Sequence, residues 1–341
     1  MLGQDKPMKQ VFLLTLLLVS FFYVHAQTEE TYAEKLGFPK GKKVVIFHVD
    51  DAGMSFESNQ GTRNAMERGI ASSTSVMMPC GWVPQYMTYL KDHPSIDAGV
   101  HLVLTSEWNG YRWSPLVGRD KAPGLYDEQG AFWHSVAQVV EHASASEVEA
   151  EIRAQIARFR QFGIQPTHID SHMGTLFQPK FVQQYVKVGI EERIPVLFPG
   201  GHATLIGESA KLPDAQRQLI RQLGQQLWNA GLPVVDDLDG TSYGWNLPAG
   251  VPVTDENLRK HKTEQYIALL KRCRPGITYI ILHATDAGPS FQSISDSGPT
   301  RRGDMLAMMD PALKAFVERE GILVTTWREL SDRRAKIQAN R

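Results

Sequence analysis

Val44-Val45-Ile46-Phe47-His48-Val49-Asp50-Asp51-Ala52-Gly53-Met54-Ser55 runs from four apolar or aromatic residues into two adjacent carboxylates and a glycine. An apolar run this short, of high β-propensity and closed by Gly53, predicts a strand buried on both faces and ending in a tight turn, the habit of parallel sheets. Asp50 and Asp51 then stand at the strand's C-terminal end, where βα loops leave the scaffold and where ligands and catalytic groups gather in α/β proteins. A blander alternative has one aspartate capping the next helix and the other solvated. It is disfavoured because two later segments repeat the design with histidines.

On the C-terminal side a helix is expected over Asn59–Arg68, stopped by Gly69, then a strand Ser73–Met78 stopped by Pro79. Trp82–Asp92 reads as a helix with apolar residues at Val83, Tyr86, Met87 and Leu90, and Asp97–Leu104 as a strand carrying His101 at or near its end. From Thr105 to Trp133 the pattern breaks into an insertion rich in Gly, Pro and aromatics, a length that is usually functional or disordered, and its aromatic content argues against disorder. It is expected to be either a lip of the active face, with Trp108 and Trp113 stacking on a ligand, or a loop packed onto the body. Ser146–Phe162 is the clearest helix, with Ser146 as N-cap and Glu149 completing a capping box. It leads into Pro166-Thr167-His168-Ile169-Asp170-Ser171-His172. Further βα units pair Pro179–Val188 with Pro195–Phe198, Asp214–Ala230 with Pro233–Asp236, Asp255–Arg272 with Ile277–His283, and Pro311–Glu320 with Ile322–Thr325. Such alternation of about seven or eight strands with helices predicts an α/β fold, a parallel sheet closed into a TIM-barrel-like barrel over residues 43–335, in a single domain.

Lys6 and Lys9, the apolar run Val11–Phe22 and a small residue at Ala26 match a secretory leader, residues 1–26, with cleavage after Ala26. The protein is then periplasmic or secreted with no stable membrane span after cleavage, the alternative being a retained anchor. Residues 27–42 form a polar lead-in. With 36 Lys+Arg against 37 Asp+Glu the net charge is -1, and no basic field invites nucleic acid or an anionic membrane. Cys80 and Cys273 either pair or stay as buried thiols. Oligomeric state is not encoded legibly.

Three strand ends thus offer metal-compatible groups: Asp50 and Asp51, His101, and the His168-x-Asp170-x-His172 cluster. Two imidazoles and a carboxylate in an open arrangement suit one divalent metal ion that keeps a water; zinc is the first choice, with magnesium or manganese as alternatives. His48, His93, His134 and His142 lack such context and read as bland.

The segments Val49–Ser55, Gly99–Leu102 and Pro166–His172, in this order, resemble the YdjC-like carbohydrate deacetylases, relatives of the NodB-type polysaccharide deacetylases. The resemblance implies a distorted (β/α) barrel, a divalent metal and hydrolysis of N-acetyl groups from an amino sugar or oligosaccharide. It also implies Asp51, His101 and His172 as ligands, Asp50 as base, and His168 and Asp170 as residues orienting them. This chain departs from the family in having Met173-Gly174-Thr175 where further histidines are usual, and Ala284 rather than proline after His283. The chemistry agrees, because amide hydrolysis needs an acidified water, a base for its proton and an acid for the leaving amine, and His283 is a candidate acid from another strand end. A metal-dependent esterase or phosphoesterase is the alternative hydrolase, disfavoured by the lack of a Gly-rich phosphate loop and of Arg or Lys near the metal motifs, except the Arg301-Arg302 pair in the Gly288–Gly303 loop. A non-catalytic sugar-binding barrel would have no need of a base and an acid.

Overall fold

In a computed structural model of the chain, residues 30–286 and 288–340 are described. The expected leader lies outside them, and among the described residues no helix is long and apolar enough to cross a membrane. The strands are β1 (Lys43–Ala52), β2 (Ser73–Val76), β3 (Ala98–Leu102), β4 (Ile169–Ser171), β5 (Asp237–Asp239), β6 (Gly276–His283) and β7 (Leu323–Val324). The helices are α1 (Tyr32–Lys35), α2 (Phe56–Arg68), α3 (Val83–Asp92), α4 (Val136–His142), α5 (Ala145–Gln161), α6 (Val182–Glu192), α7 (Thr204–Ser209), α8 (Asp214–Asn229), α9 (Asp255–Arg272), α10 (Gly298–Met308), α11 (Pro311–Arg319) and α12 (Trp327–Ala339).

All strand pairs are parallel, in the order β4-β3-β2-β1-β6-β5, with β7 paired to the start of β1. The expected α/β barrel is therefore present, but its ring is uneven. The anticipated strand Pro195–Phe198 is reduced to single bridges, Ile169↔Val196 and Pro199↔Val235, which join the β4 edge to the β5 edge. Pro195 and Pro199 lack the N–H a continuous ladder needs, which explains the reduction. The strand expected at Pro233–Asp236 forms instead at Asp237–Asp239, and the last strand contracts to Leu323–Val324. The long helix starts two residues early: Ser144 accepts from the Glu147 N–H and the Glu147 side chain answers, so the capping box is Ser144/Glu147 rather than Ser146/Glu149.

Along β1 the side chains alternate between faces. Val45, Phe47 and Val49 pack outward against the helices, whereas Val44 and Ile46 belong to the interior cluster. His48 and Asp50 continue that inner row, so the barrel interior climbs from an apolar floor to a charged mouth. Residues 31–42 are no loose lead-in: α1 carries a capping box, and the Tyr32 and Ala33 N–H groups donate to Asp236 at 2.7 and 3.1 Å.

The aromatic insertion is ordered by Arg112, whose guanidinium donates to Asp127 and the Phe132 carbonyl, both at 2.6 Å, and to Ser106 at 3.2 Å. Glu151 of α5 accepts from the Leu116 and Val117 N–H groups and ties the insertion to the body. Cys80 and Cys273 are free and buried in different clusters, which excludes the disulfide.

Candidate metal centre

The eight-residue register of β1 on β6 sets Asp50 opposite His283, and that of β3 on β4 sets His101 opposite Asp170. Adjacent residues of a strand point to opposite faces, so Asp50 and Asp51 would ordinarily part company. They do not, because Asp51 is left-handed (φ 66°) and the β1–β2 register slips between Val49 and Ala52. This bulge re-aims the second carboxylate into the barrel mouth at a strain cost of about 1–3 kcal/mol. Gly53 then completes the turn at φ +84°, where an added Cβ would lie 2.7 Å from Val83.

Asp51 Oδ1 lies 3.2 Å from His101 Nε2 and 3.4 Å from His172 Nδ1, and the two imidazole nitrogens face each other at 3.2 Å. Behind them, Asp170 Oδ1 lies 2.8 Å from His101 Nδ1, and the Glu107 carboxylate lies 3.1–3.2 Å from His172 Nε2. A carboxylate only accepts, so those outer nitrogens carry the protons and the inner ones present lone pairs. With both imidazoles neutral the centre is thus three acceptors with no donor among them, and Asp51 Oδ1 is buried without a hydrogen-bond partner. Only a cation or extra protons satisfy such a set, and the donors suit a divalent metal. Their ligand atoms lie within 4.8 Å of one another. Two other groupings among the described residues, His48/His168/Asp170 and Asp50/His101/Asp170, both draw on Asp170. Its oxygens are already engaged by His101, the Ser75 hydroxyl at 2.7 Å and the Tyr279 hydroxyl at 3.1 Å.

The electrostatics follow from this geometry. Burial favours a neutral Asp51, but the Arg301 guanidinium, at 2.6 Å from Oδ2, and the two imidazoles hold its carboxyl well below the usual range. Burial works to lower the His172 pKa, yet Glu107 and Asp51 push it up to about 9; His101 is likewise raised against burial by Asp50 and Asp170. His283 goes the other way: burial and the Arg301 charge push it down to about 4, although its Nε2 lies 3.9–4.0 Å from both aspartates.

The model of the family described as YdjC-like protein matches residues 44–319. The chain belongs to the YdjC-like family. A carbohydrate deacetylase of Thermus thermophilus is 30% identical over 88% of this chain and 97% of its own length. A chitooligosaccharide deacetylase of Serratia marcescens is 32% identical over 41% of this chain and 53% of its own. Among solved structures, an Enterococcus faecalis protein described as a cellobiose-phosphate cleavage protein superposes with a TM-score of 0.66 at 22% identity, covering 85% of this chain and 99% of that one, a likeness of fold.

In this YdjC-like chain the structure brings Asp50, Asp51, His101, Asp170, His172 and His283 together. His168 sits a layer deeper, 3.7 Å from Asp170 and stacked on Trp327, and touches none of the three facing acceptors directly. Trp113 must be corrected as a stacking residue: its indole is 4% exposed, donates to the Thr105 carbonyl at 2.8 Å and packs edge-on against Trp108. Trp108 is half-buried, 5.9 Å from the Arg301 guanidinium carbon. His48, read as bland, stands in the site's network, with Nε2 3.0 Å from Asp170 and 3.2 Å from Asp50. Sequence reasoning passed over Glu107 and gave Arg301 no role in the site. Arg301 follows Gly298 and Pro299 in a stretch that reads as loop, and its burial on α10 is a tertiary fact.

Proposed function

We propose that this chain is a metal-dependent deacetylase of N-acetylated amino sugars or their oligomers. The observation carrying the proposal is the donor-free cage of Asp51, His101 and His172 beside a second carboxylate, in a chain whose relatives are named carbohydrate and chitooligosaccharide deacetylases. Asp51, His101 and His172 would hold one divalent ion, zinc being favoured by the two imidazoles. When bound, such an ion acidifies water and polarises the acetyl carbonyl.

This chain's own residues do the rest. Asp50, 6% exposed, accepts the water proton. Nearby His48, itself held by Asp170, fixes its orientation, and Arg301 offsets the charge of Asp51 beside it. His283 starts neutral, so the proton it delivers to the departing amine must reach it during turnover, and Asp50 Oδ2, 4.0 Å from its Nε2, is the source at hand. Export by a leader cleaved after Ala26 is part of the same reading; the mature chain would begin at Gln27, as N-terminal sequencing of secreted protein would show.

The test is metal analysis together with acetate release from a panel of N-acetylated, O-acetylated and phosphorylated sugars. Stoichiometric metal and release from N-acetylated oligomers are expected. Turnover of the O-acetyl or phosphorylated members alone would replace the reading with an esterase or phosphoesterase.

A further inference from the structure

Behind His283 lies an ion pair that the chemistry above does not use. Lys262 of α9 and Asp304 of α10 are both 0% exposed, with Nζ 2.9 Å from Oδ1. A buried pair of this kind contributes little net stability, because desolvating two charges offsets their attraction. What surrounds it is more informative. Asp304 Oδ2 accepts the backbone N–H of His283 at 3.2 Å and lies 3.2 Å from the Ser242 hydroxyl, while Oδ1 accepts from the Tyr266 hydroxyl at 2.8 Å. Lys262 donates its other bond to the Ser242 carbonyl at 2.6 Å. The Ser242 hydroxyl also reaches the Ile281 carbonyl at 3.0 Å, and Thr300 of α10 donates to the carbonyl of Tyr243 at 3.3 Å.

Apart from the ion pair itself and the Tyr266 bond, which join α9 to α10, these bonds end on one of two short stretches: the end of β6 that carries His283, and the turn after β5 that carries Tyr243. Tyr243 is 40% exposed; its ring meets the His283 imidazole edge-on at 5.1 Å, and the Arg301 guanidinium carbon lies 5.2 Å from its centroid. Arg301 and Asp304 are three residues apart on α10 and so share a face. One helix therefore presents Arg301 to Asp51 and Asp304 to His283.

We propose that the Lys262–Asp304 pair is a positioning clamp that holds His283 and Tyr243 as one unit over the Asp51 side of the site, with the Tyr243 ring as the wall against which the reacting sugar is seated. Lys262, Asp304, Ser242 and Tyr266 are positioning residues, and Tyr243 is a substrate-contacting one. The inference rests on the deacetylase reading for the identity of the substrate, but the clamp itself does not.

The deciding variant is the double replacement Lys262→Met/Asp304→Leu, which removes the charges together and leaves no buried ion unpaired, while it strips partners from the His283 N–H, the Tyr266 hydroxyl and the Ser242 carbonyl. Ser242→Ala, which removes the hydroxyl's contacts to Asp304 and the Ile281 carbonyl, and Tyr266→Phe, which deletes one bond, are milder companions. For the full-length metal-loaded protein, metal content should stay near wild type and the thermal midpoint should fall without loss of the folded state, whereas kcat for acetate release should fall about tenfold or more, as misplacement of a proton-transfer group entails. Tyr243→Ala should raise KM with a smaller change in kcat. Wild-type kcat in the double variant would overturn the clamp. An independent readout is side-chain NMR of His283, assigned by His283→Gln: its resonances should shift and broaden in the double variant. Should the wild-type protein release no acetate, the deacetylase reading fails, and unchanged His283 resonances in the double variant would sink the clamp separately. If the double variant does not fold, Ser242→Ala and Tyr266→Phe carry the test, and wild-type kcat with unshifted His283 resonances in both overturns the proposal.

Discussion

Asp51 is the residue on which the site turns, since its left-handed backbone is what lets two neighbouring carboxylates share one cavity. The two should separate cleanly by substitution. Asp50→Asn is expected to keep its metal while turnover falls by roughly 10²–10⁴-fold, the contribution of general base catalysis. Asp51→Asn, which tolerates the left-handed conformation, should instead lose metal, and atomic absorption of the purified variants distinguishes the two. If Asp50→Asn strips the metal and Asp51→Asn retains it, the roles are exchanged. A pH dependence follows from His172. Without a metal its imidazole keeps a proton until about pH 9, so metal uptake must displace that proton. Apparent affinity should therefore rise by about tenfold or more per pH unit from pH 6 to 8 and level off above pH 9; a flat calorimetric profile over that range would refute the pairing with Glu107 and Asp51 as its cause.

At the scale of elements, the aromatic insertion depends on one carboxylate. Both oxygens of Glu151 accept donors, from the Leu116 and Val117 N–H groups and from Gln155, so an amide there would set an NH2 group against a donor. Glu151→Gln should cost about 1–3 kcal/mol and raise hydrogen exchange across residues 105–133 first. Within the insertion the two tryptophans should part: Trp113→Ala destabilises by about 3–5 kcal/mol as a buried aromatic, measured by denaturant unfolding. Trp108 is half-buried, so Trp108→Ala should cost less stability than that and weaken binding of longer oligomers more than of a single sugar; equal loss for both lengths would remove it from the binding surface. These contrasts show where the sequence was readable. Asp50, Asp51 and His283 end apolar runs, His101 sits inside one, and His172 closes a cluster of metal-compatible side chains, each a local signature. Glu107 and Arg301 reach the site from an irregular insertion and from a helix opened by glycine and proline, with no periodic pattern to mark them. His48 was misjudged because alternation along a strand says that faces differ but not which face meets the barrel interior. The strand at Pro195–Phe198 was overcalled for a related reason: an apolar run signals burial, and its prolines decide whether a ladder can form.

For the whole molecule, the unevenness of the ring separates two regimes. The residues of the centre hang from the unbroken run of ladders β4-β3-β2-β1-β6, their neighbouring loops and α10, whereas residues 195–235 join the ring through isolated bridges. Within that second region, Ala210 and Lys211 form an exposed turn between α7 and α8, with Lys211 at φ 50°. Exposed tips of this kind accept added chain at little cost. The seam is therefore where this enzyme scaffold can be written upon: a reporter peptide or a second sugar-binding module spliced after Lys211 should leave metal stoichiometry intact, while the same insertion after Ser106, between the His101 strand and Glu107, should abolish it.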